Sequence, residues 1–380
     1  MIDYKHLAIV VLVPMFLIGC GGESPQSNDS PRDGSGTPAK GEDIEPPPEA
    51  DDEDSVKALA SLATSVKKDS DGLIIEVNFR GATIADTALD NLAGLKRVRS
   101  VLLNETAITD DGLKAIGKLK TLTNLDLRGC SVSNEGIGHL VELTQLRALR
   151  LSGESGATTV DDDGMESVSK LTNLKALPLD FLWVSKDGLA KLDGLKNLEE
   201  LYLKKALIDD DALAGLSQFP KLKKLRIAQT SITNDGLAHL AKLKTLEELD
   251  LSENSGIYDD GLSHLKPMKQ LTRLNLWRVP ISDFGVEHLQ GLTKLQWLNL
   301  DNTQLSDTGL EWLKEMKALT FLHLGSTQIS DAGLVHLEGL TSLKNLIVTR
   351  TSVTEAGTES LSKKLPKTEI QLNYLGNEAG

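Results

Sequence analysis

Five histidines occupy one position of a recurring pattern: His139, His239, His264, His288 and His336 each follow a glycine or its equivalent by three residues. His239, His264 and His288 belong to consecutive copies, so they would form a column. Imidazoles in a column are what a zinc site would draw on. Carboxylates recur close by, at Asp86, Asp110, Asp162, Asp210, Asp259, Asp283, Asp307 and Asp331, with Asn134 and Asn234 in the same position and Lys186 and Glu355 as the exceptions. A neighbouring pair such as Asp235 and His239 has the residue types for acid–base work. Against both readings, Trp312 takes the histidine position in the copy after His288, and no Cys or acid complements the column at ligand spacing. A calcium loop would need converging carboxylates with a bidentate Glu, and that spacing is missing. No G-x-S-x-G, H-E-x-x-H or G-x-x-x-x-G-K-[ST] occurs. The polar residues repeat too evenly to mark one pocket, so the expectation is a non-enzyme with no metal, no cofactor and no small-molecule substrate.

The elements that position these letters follow from the period. Counted from its first apolar residue, the pattern L-x-x-L-x-L-x-x-T-x-I-[TS]-D-x-G-L-x-x-L-x-x-L begins at Ile74, Val98, Leu122, Leu146, Leu174, Leu198, Leu222, Leu246, Leu271, Leu295, Leu319 and Leu343. The gaps are 24 residues, except 28 after Leu146 and 25 after Leu246. Twelve copies at a near-constant period predict stacked supersecondary units. In L-x-L the leucines alternate with outward residues, as a strand requires. In G-L-x-x-L-x-x-L apolar residues recur every three, one face of a short helix. One copy alone cannot bury both faces, so neighbours must stack, with parallel strands lining a concave wall and helices on the convex side. Asp or Asn just before the helical run reads as an N-cap, and an acid there suits the helix dipole. The glycine position, Gly or Ala in every copy, reads as close packing between coils.

Leu122-x-x-Leu125-x-Leu127 and Leu319-x-x-Leu322-x-Leu324 resemble the leucine-rich-repeat family, over about residues 74–366. The resemblance implies an α/β solenoid of about 12 repeats, a curved horseshoe. The helical half is similar to the cysteine-containing and ribonuclease-inhibitor-like branches. It departs from them in its 24-residue turn and in Thr106, Thr230, Thr303, Thr327 and Thr351 where they carry Asn or Cys; only Cys130 is Cys.

Ahead of the array, Met1 to Cys20 carries Lys5 and an apolar run from Leu7 to Ile18, too short to span a bilayer and fitting a secretory signal. Leu17-Ile18-Gly19-Cys20 resembles the lipobox of bacterial lipoproteins, which implies lipid on Cys20 and an extracytoplasmic, membrane-anchored protein of the bacterial cell envelope. Residues 21–54 have almost no apolar content and hold eleven acids against Arg32 and Lys40, a net of 2 − 11 = −9 out of −14 for the chain. That composition predicts a disordered tether of roughly 30 Å end to end. The charge also argues against nucleic acid, which needs clustered Lys and Arg. Residues 55–73 read as a capping helix and lead-in with Asp54 and Ser55 at its start, and 367–380 as a terminal cap and tail.

Function in such arrays lies on exposed strand positions. One outward column runs Glu200, Lys224, Glu248, Arg273, Trp297, Phe321, Asn345. In a chain with 4% aromatics, Arg273, Trp277, Arg278, Trp297, Phe321 and His323 fall on three adjacent repeats, and such residues anchor protein interfaces. The bland reading is that Arg273 stacks on Trp297 and stabilises the ladder. A second patch, Phe181 and Trp183, lies beside the four-residue excess in SGESGATTV. The expected partner is therefore a protein or peptide on the concave face. A structural, self-associating envelope spacer is one alternative. A ubiquitin-ligase-type substrate-recognition subunit is the other, disfavoured by the lipobox and by the lack of an F-box-like domain.

Overall fold

The chain divides into two units, Met1–Pro47 and Pro48–Gly380. The computed structural model describes residues 49–373, all in the second unit. Cys20 and the tether through residue 48 lie outside the described residues, as do residues 374–380.

Fourteen strands form one sheet in chain order, each paired with its sequence neighbours. The first, β1 (Ser65–Lys68), runs antiparallel to β2 (Ile74–Asn78), and every later pairing is parallel. The register advances one repeat per strand: Arg273 pairs with Trp297, Trp297 with Phe321, Phe321 with Asn345 and Asn345 with Glu369. The central leucine of each strand, such as Leu274, Leu298, Leu322 and Leu346, is fully buried. Short α or 3-10 turns, such as Asn234–Leu240 and Asp259–Leu265, return the chain on the opposite side. Strands sit about 4.8 Å apart while packed helices need about 8–10 Å, so the strand side is the inner wall of the curve. The expected α/β leucine-rich-repeat solenoid is what forms.

Each strand exit turns through a left-handed residue. Nine of these are not glycine, among them Glu105, Phe181, Lys205, Arg278 and Arg350, with φ from 52° to 63° across the set. Such a conformation costs about 1 kcal/mol per residue and persists because its neighbours impose it. The threonine that follows offsets part of this. Thr303 and Thr327 donate their hydroxyls to the carbonyls of Leu300 and Leu324, three residues back, at 2.8 and 2.6 Å. Cys130, in the equivalent position, instead donates through Sγ to the Leu103 carbonyl of the preceding coil at 3.1 Å, and burial pushes its thiol up to about 11.

The recurrent aspartate is not the helix cap expected of it. The residue before it caps: the hydroxyls of Thr109, Ser133, Ser185, Thr233 and Ser282 accept the backbone N–H two residues on. The aspartate instead reaches the next coil. Ser282 donates its N–H (2.7 Å) and its hydroxyl (2.6 Å) to the two oxygens of Asp259. Thr233 does so to Asp210, Ser306 to Asp283 and Ser330 to Asp307. Two donors on a neighbour satisfy a carboxylate better than one N–H already served by a hydroxyl. Asn234 likewise accepts from Tyr258 N–H at 2.8 Å, so Thr233, not Asn234, caps that helix.

This clamp explains the glycine. A Cβ on Gly112 or Gly285 would stand 2.5 Å from Oδ1 of Asp86 or Asp259. The one later coil with Ala in that position, at Ala212, follows Lys186, which offers no carboxylate. There Lys186 pairs with Asp211 at 3.0 Å instead.

Both ends are closed. Helix Glu53–Leu62 starts earlier than its expected Asp54–Ser55 cap, with Asp52 accepting from Ser55 N–H. Asp51 takes the N–H groups of Ile74 and Lys96 at 2.7 and 2.8 Å, so the last acids assigned to the tether belong to the folded unit. At the other end, helix Glu355–Lys364 and strand Glu369–Gln371 cover the last repeat.

Candidate partner-binding face

The register places Arg273, Trp297 and Phe321 side by side on the inner wall. The Arg273 guanidinium lies 3.5 Å from the Trp297 ring centre. Trp297 and Phe321 stack at 5.0 Å with their planes 5° apart, and His323 meets Phe321 edge-on at 6.4 Å and 68°. All four are partly exposed. Burial lowers the pKa of Arg273, and Glu248 and Asp250 act against that shift. The charges of this column, which alternate from Glu200 to Arg273, are therefore split. Lys224 pairs with Glu200 and Glu248 at 3.3 and 3.4 Å, while Arg273 faces an aromatic ring.

Trp277 and Arg278 form a second layer along the strand exits. The Arg278 guanidinium is 5.5 Å from the Trp277 ring and 3.5 Å from a Glu253 oxygen. Trp277 also bonds the side chain of Asp301. Burial raises Asp301 above the usual carboxylate range, opposed by the charge of His323, a bond from Ser326, the charge of Arg350 and the Trp277 bond. Burial lowers His323, opposed by Asp301. The six residues singled out from sequence, joined by Asp301, thus make one contiguous surface of stacked rings, two arginines and a carboxylate–imidazole pair.

The second patch is two separate features. Phe181 is half-buried at a left-handed strand exit, with the ammonium groups of Lys204 and Lys205 at 5.6 and 5.1 Å from its ring. Trp183 is 74% exposed and Leu207, its equivalent on the next coil, 59%. The histidine column lies on the helical side. Among the described residues no group of three or more His, Cys, Asp or Glu is placed to hold a metal ion.

One arrangement escaped the sequence reading. Asp180, on the inner wall, pairs with Arg226 two repeats away, and the Arg226 guanidinium covers the Tyr202 ring at 4.6 Å. Burial raises Asp180, opposed first by Arg226. Tyr202 is pushed up to about 12 by burial and by Glu200. The partners are 46 residues apart, and only the exact strand register reveals that they meet. The available signal was Asp180 itself, an acid in a column where the flanking repeats place Ser152 and Lys204.

No match was found among curated proteins. Among solved structures the fold is similar to an internalin of Listeria monocytogenes, at 22% identity and a TM-score of 0.56, covering 85% of this chain and 95% of that one. It is also similar to a leucine-rich-repeat protein of Leptospira interrogans, at 20% identity and a TM-score of 0.50, covering 74% and 80%. The model of the leucine-rich repeat region matches residues 85–374. With that match spanning most of the chain, the repeat register observed strand by strand, and the leucine core it buries, the protein belongs to the leucine-rich-repeat family.

Proposed function

We propose that this chain is an extracytoplasmic lipoprotein of the bacterial envelope, anchored through lipid on Cys20, that captures a protein or peptide on its concave wall at Arg273, Trp277, Arg278, Trp297, Phe321 and His323. It carries no catalytic role in this reading. The observation that supports the concave site is the Arg273–Trp297–Phe321 stack. Three consecutive strands spend an arginine and two large rings on one column of partly exposed positions, where the other parallel strands place Ser, Ala, Asn, Glu or Lys. Rigid aromatic and arginine side chains lose little entropy on contact and are the preferred anchors of interfaces. The neighbouring Lys224–Glu248 pair is already satisfied and serves as rim.

Capture of envelope partners by the full-length protein should be lost when Trp277, Trp297 and Phe321 are all replaced by Ala. Unchanged partners would sink the concave site. The exposed Trp183–Leu207 pair favours a second contact surface on the strand-exit edge, and Trp183→Ala separates the two. Palmitate labelling should disappear in Cys20→Ala, and retained label would remove the anchor.

A further inference from the structure

The sheet has two open edges. β1 and the last strand, Glu369–Gln371, each pair on one side only. An edge strand carries backbone N–H and C=O groups without partners, a template for a further strand. The hydrogen bonds show which residues present them. Thr64 donates to the Asn78 carbonyl at 2.7 Å, while Arg99 donates to the Ile75 carbonyl at 2.8 Å. Glu76 and Asn78 therefore face β1, and the alternation turns the backbone groups of Val66 outward. At the other end Glu369 donates to the Lys344 carbonyl at 2.7 Å and Gln371 accepts from Val348 N–H at 3.0 Å, which turns Ile370 outward. Val66 stands opposite buried Val77, and Ile370 beside buried Leu346. Both pack on the leucine core from its ends and stay partly exposed.

We infer that these two ends fit each other: a second copy of this chain adds its β1 antiparallel to strand Glu369–Gln371, with Val66 opposite Ile370, so that copies continue one sheet head to tail. In that register Val66 and Ile370 exchange two hydrogen bonds and cover each other's side chain at the core. Lys67 falls opposite Glu369 and Ser65 opposite Gln371, on the concave side, at non-hydrogen-bonded positions where side chains approach most closely. Lys67 reaches Glu76 of its own copy at 2.6 Å with its side chain 67% exposed. Glu369 has the Asn345 amide at 3.3 Å and no cation among the described residues. The helical layer agrees. Helix Glu53–Leu62 begins at the edge where the strands begin, since Asp51 accepts there from Ile74 and Lys96. Helix Glu355–Lys364 ends at that same edge, just before the last strand. Stacking the ends brings the first-turn acids Glu53 and Asp54 to the last-turn lysines Lys363 and Lys364. A second β1 would instead bring Lys67 and Lys68 of both copies to one junction. The lysines that guard this edge against its own kind thus leave it open to Glu369. A contact between unlike surfaces yields a row or ring of copies rather than a closed pair. It leaves the concave aromatic stack free and does not depend on that reading.

In this register the Cα atoms of Ser65 and Gln371 would stand about 4.5 Å apart, within disulfide reach. Full-length Ser65→Cys and Gln371→Cys chains, each also carrying Cys20→Ala so that buried Cys130 is the one other thiol, are oxidised with copper phenanthroline separately and as a mixture. Non-reducing gels should show dimer in the mixture and in neither chain alone, and a chain with both new cysteines should give a ladder. Glu369→Lys in the Gln371→Cys chain should lower the yield by about threefold, the scale of one cross-strand ion pair. Lys67→Glu in the Ser65→Cys chain should restore it. Melting temperatures establish that each variant is folded. A mixture giving no more dimer than either chain alone overturns the assignment. So does a Glu369→Lys chain that links as well as its parent, or one that Lys67→Glu does not rescue.

Discussion

The two sides of each coil use the same one-repeat register for opposite ends. On the helical side, Asp86, Asp110, Asp162, Asp210, Asp259, Asp283, Asp307 and Asp331 each reach a Ser or Thr on the next coil. Nearly the same rung is written again and again. On the strand side, the Arg273–Trp297–Phe321 stack occurs once. Repetition marks what holds neighbouring coils together, because every junction poses the same problem. Its interruption marks a position released from that problem.

The comparison can be broken hardest at the clamp. Gly285→Val would drive a branched side chain into the Asp259 carboxylate and its two bonds, and should cost about 3 kcal/mol in denaturant unfolding. A loss no larger than that of an exposed substitution would refute the clamp. The junction that lacks the rung gives a sharper test. Lys186→Asp alone places a carboxylate against the Ala212 methyl and should destabilise by about 1 kcal/mol. The triple change Lys186→Asp, Asp209→Ser, Ala212→Gly installs the missing rung and should recover at least wild-type stability. Additive losses across the three positions would show that the letters are not coupled.

On the strand side, Trp297→Ala should lower stability by about 1 kcal/mol, the scale of one aromatic pair plus one cation–π contact. It should lower partner affinity by more than about tenfold. Affinity unchanged while stability falls would leave the stack a purely structural role. The smallest expected effect is electrostatic. Lys175 and Lys223 bond Glu199 at 2.8 and 2.9 Å and hold its carboxyl down to about 2. The folded carboxyl then binds fewer protons than the unfolded one, whose ordinary value is 4.5. Its contribution is present above that value and is lost as pH falls through about 2. Glu199→Gln should flatten the acid limb of melting temperature between those limits, weakly, because both lysines are half exposed and salt screens them.

The period, the strand leucines and the helical leucines were legible because they depend on intervals within one coil. The contiguity of Arg273, Trp297 and Phe321 was legible too, since a constant period fixes which residues stand side by side. What the letters hid were contacts whose partner lies in another coil. Asp259 next to a helical run reads as a local cap, while its donors sit 23 residues downstream on Ser282. Asp180 and Arg226 meet only across two strand spacings. Phe181, Arg278 and Arg350 take a left-handed conformation that sequence assigns to glycine, because the turn is imposed by the stack and not by the residue.

The pairing of an aspartate on one coil with a glycine on the next also sets a grammar for how such an array can lengthen or shorten. Each coil carries a plug on its trailing edge and a socket on its leading edge. Whole coils whose edges match can be duplicated or deleted in place, and the new junction fits without further change. The coil beginning at Leu198 is different: its leading edge holds Ala212 in place of a socket, and it accepts only a predecessor that ends in neither Asp nor Asn, as Lys186 does. Copied behind any other coil, it would have to be edited before it could be read.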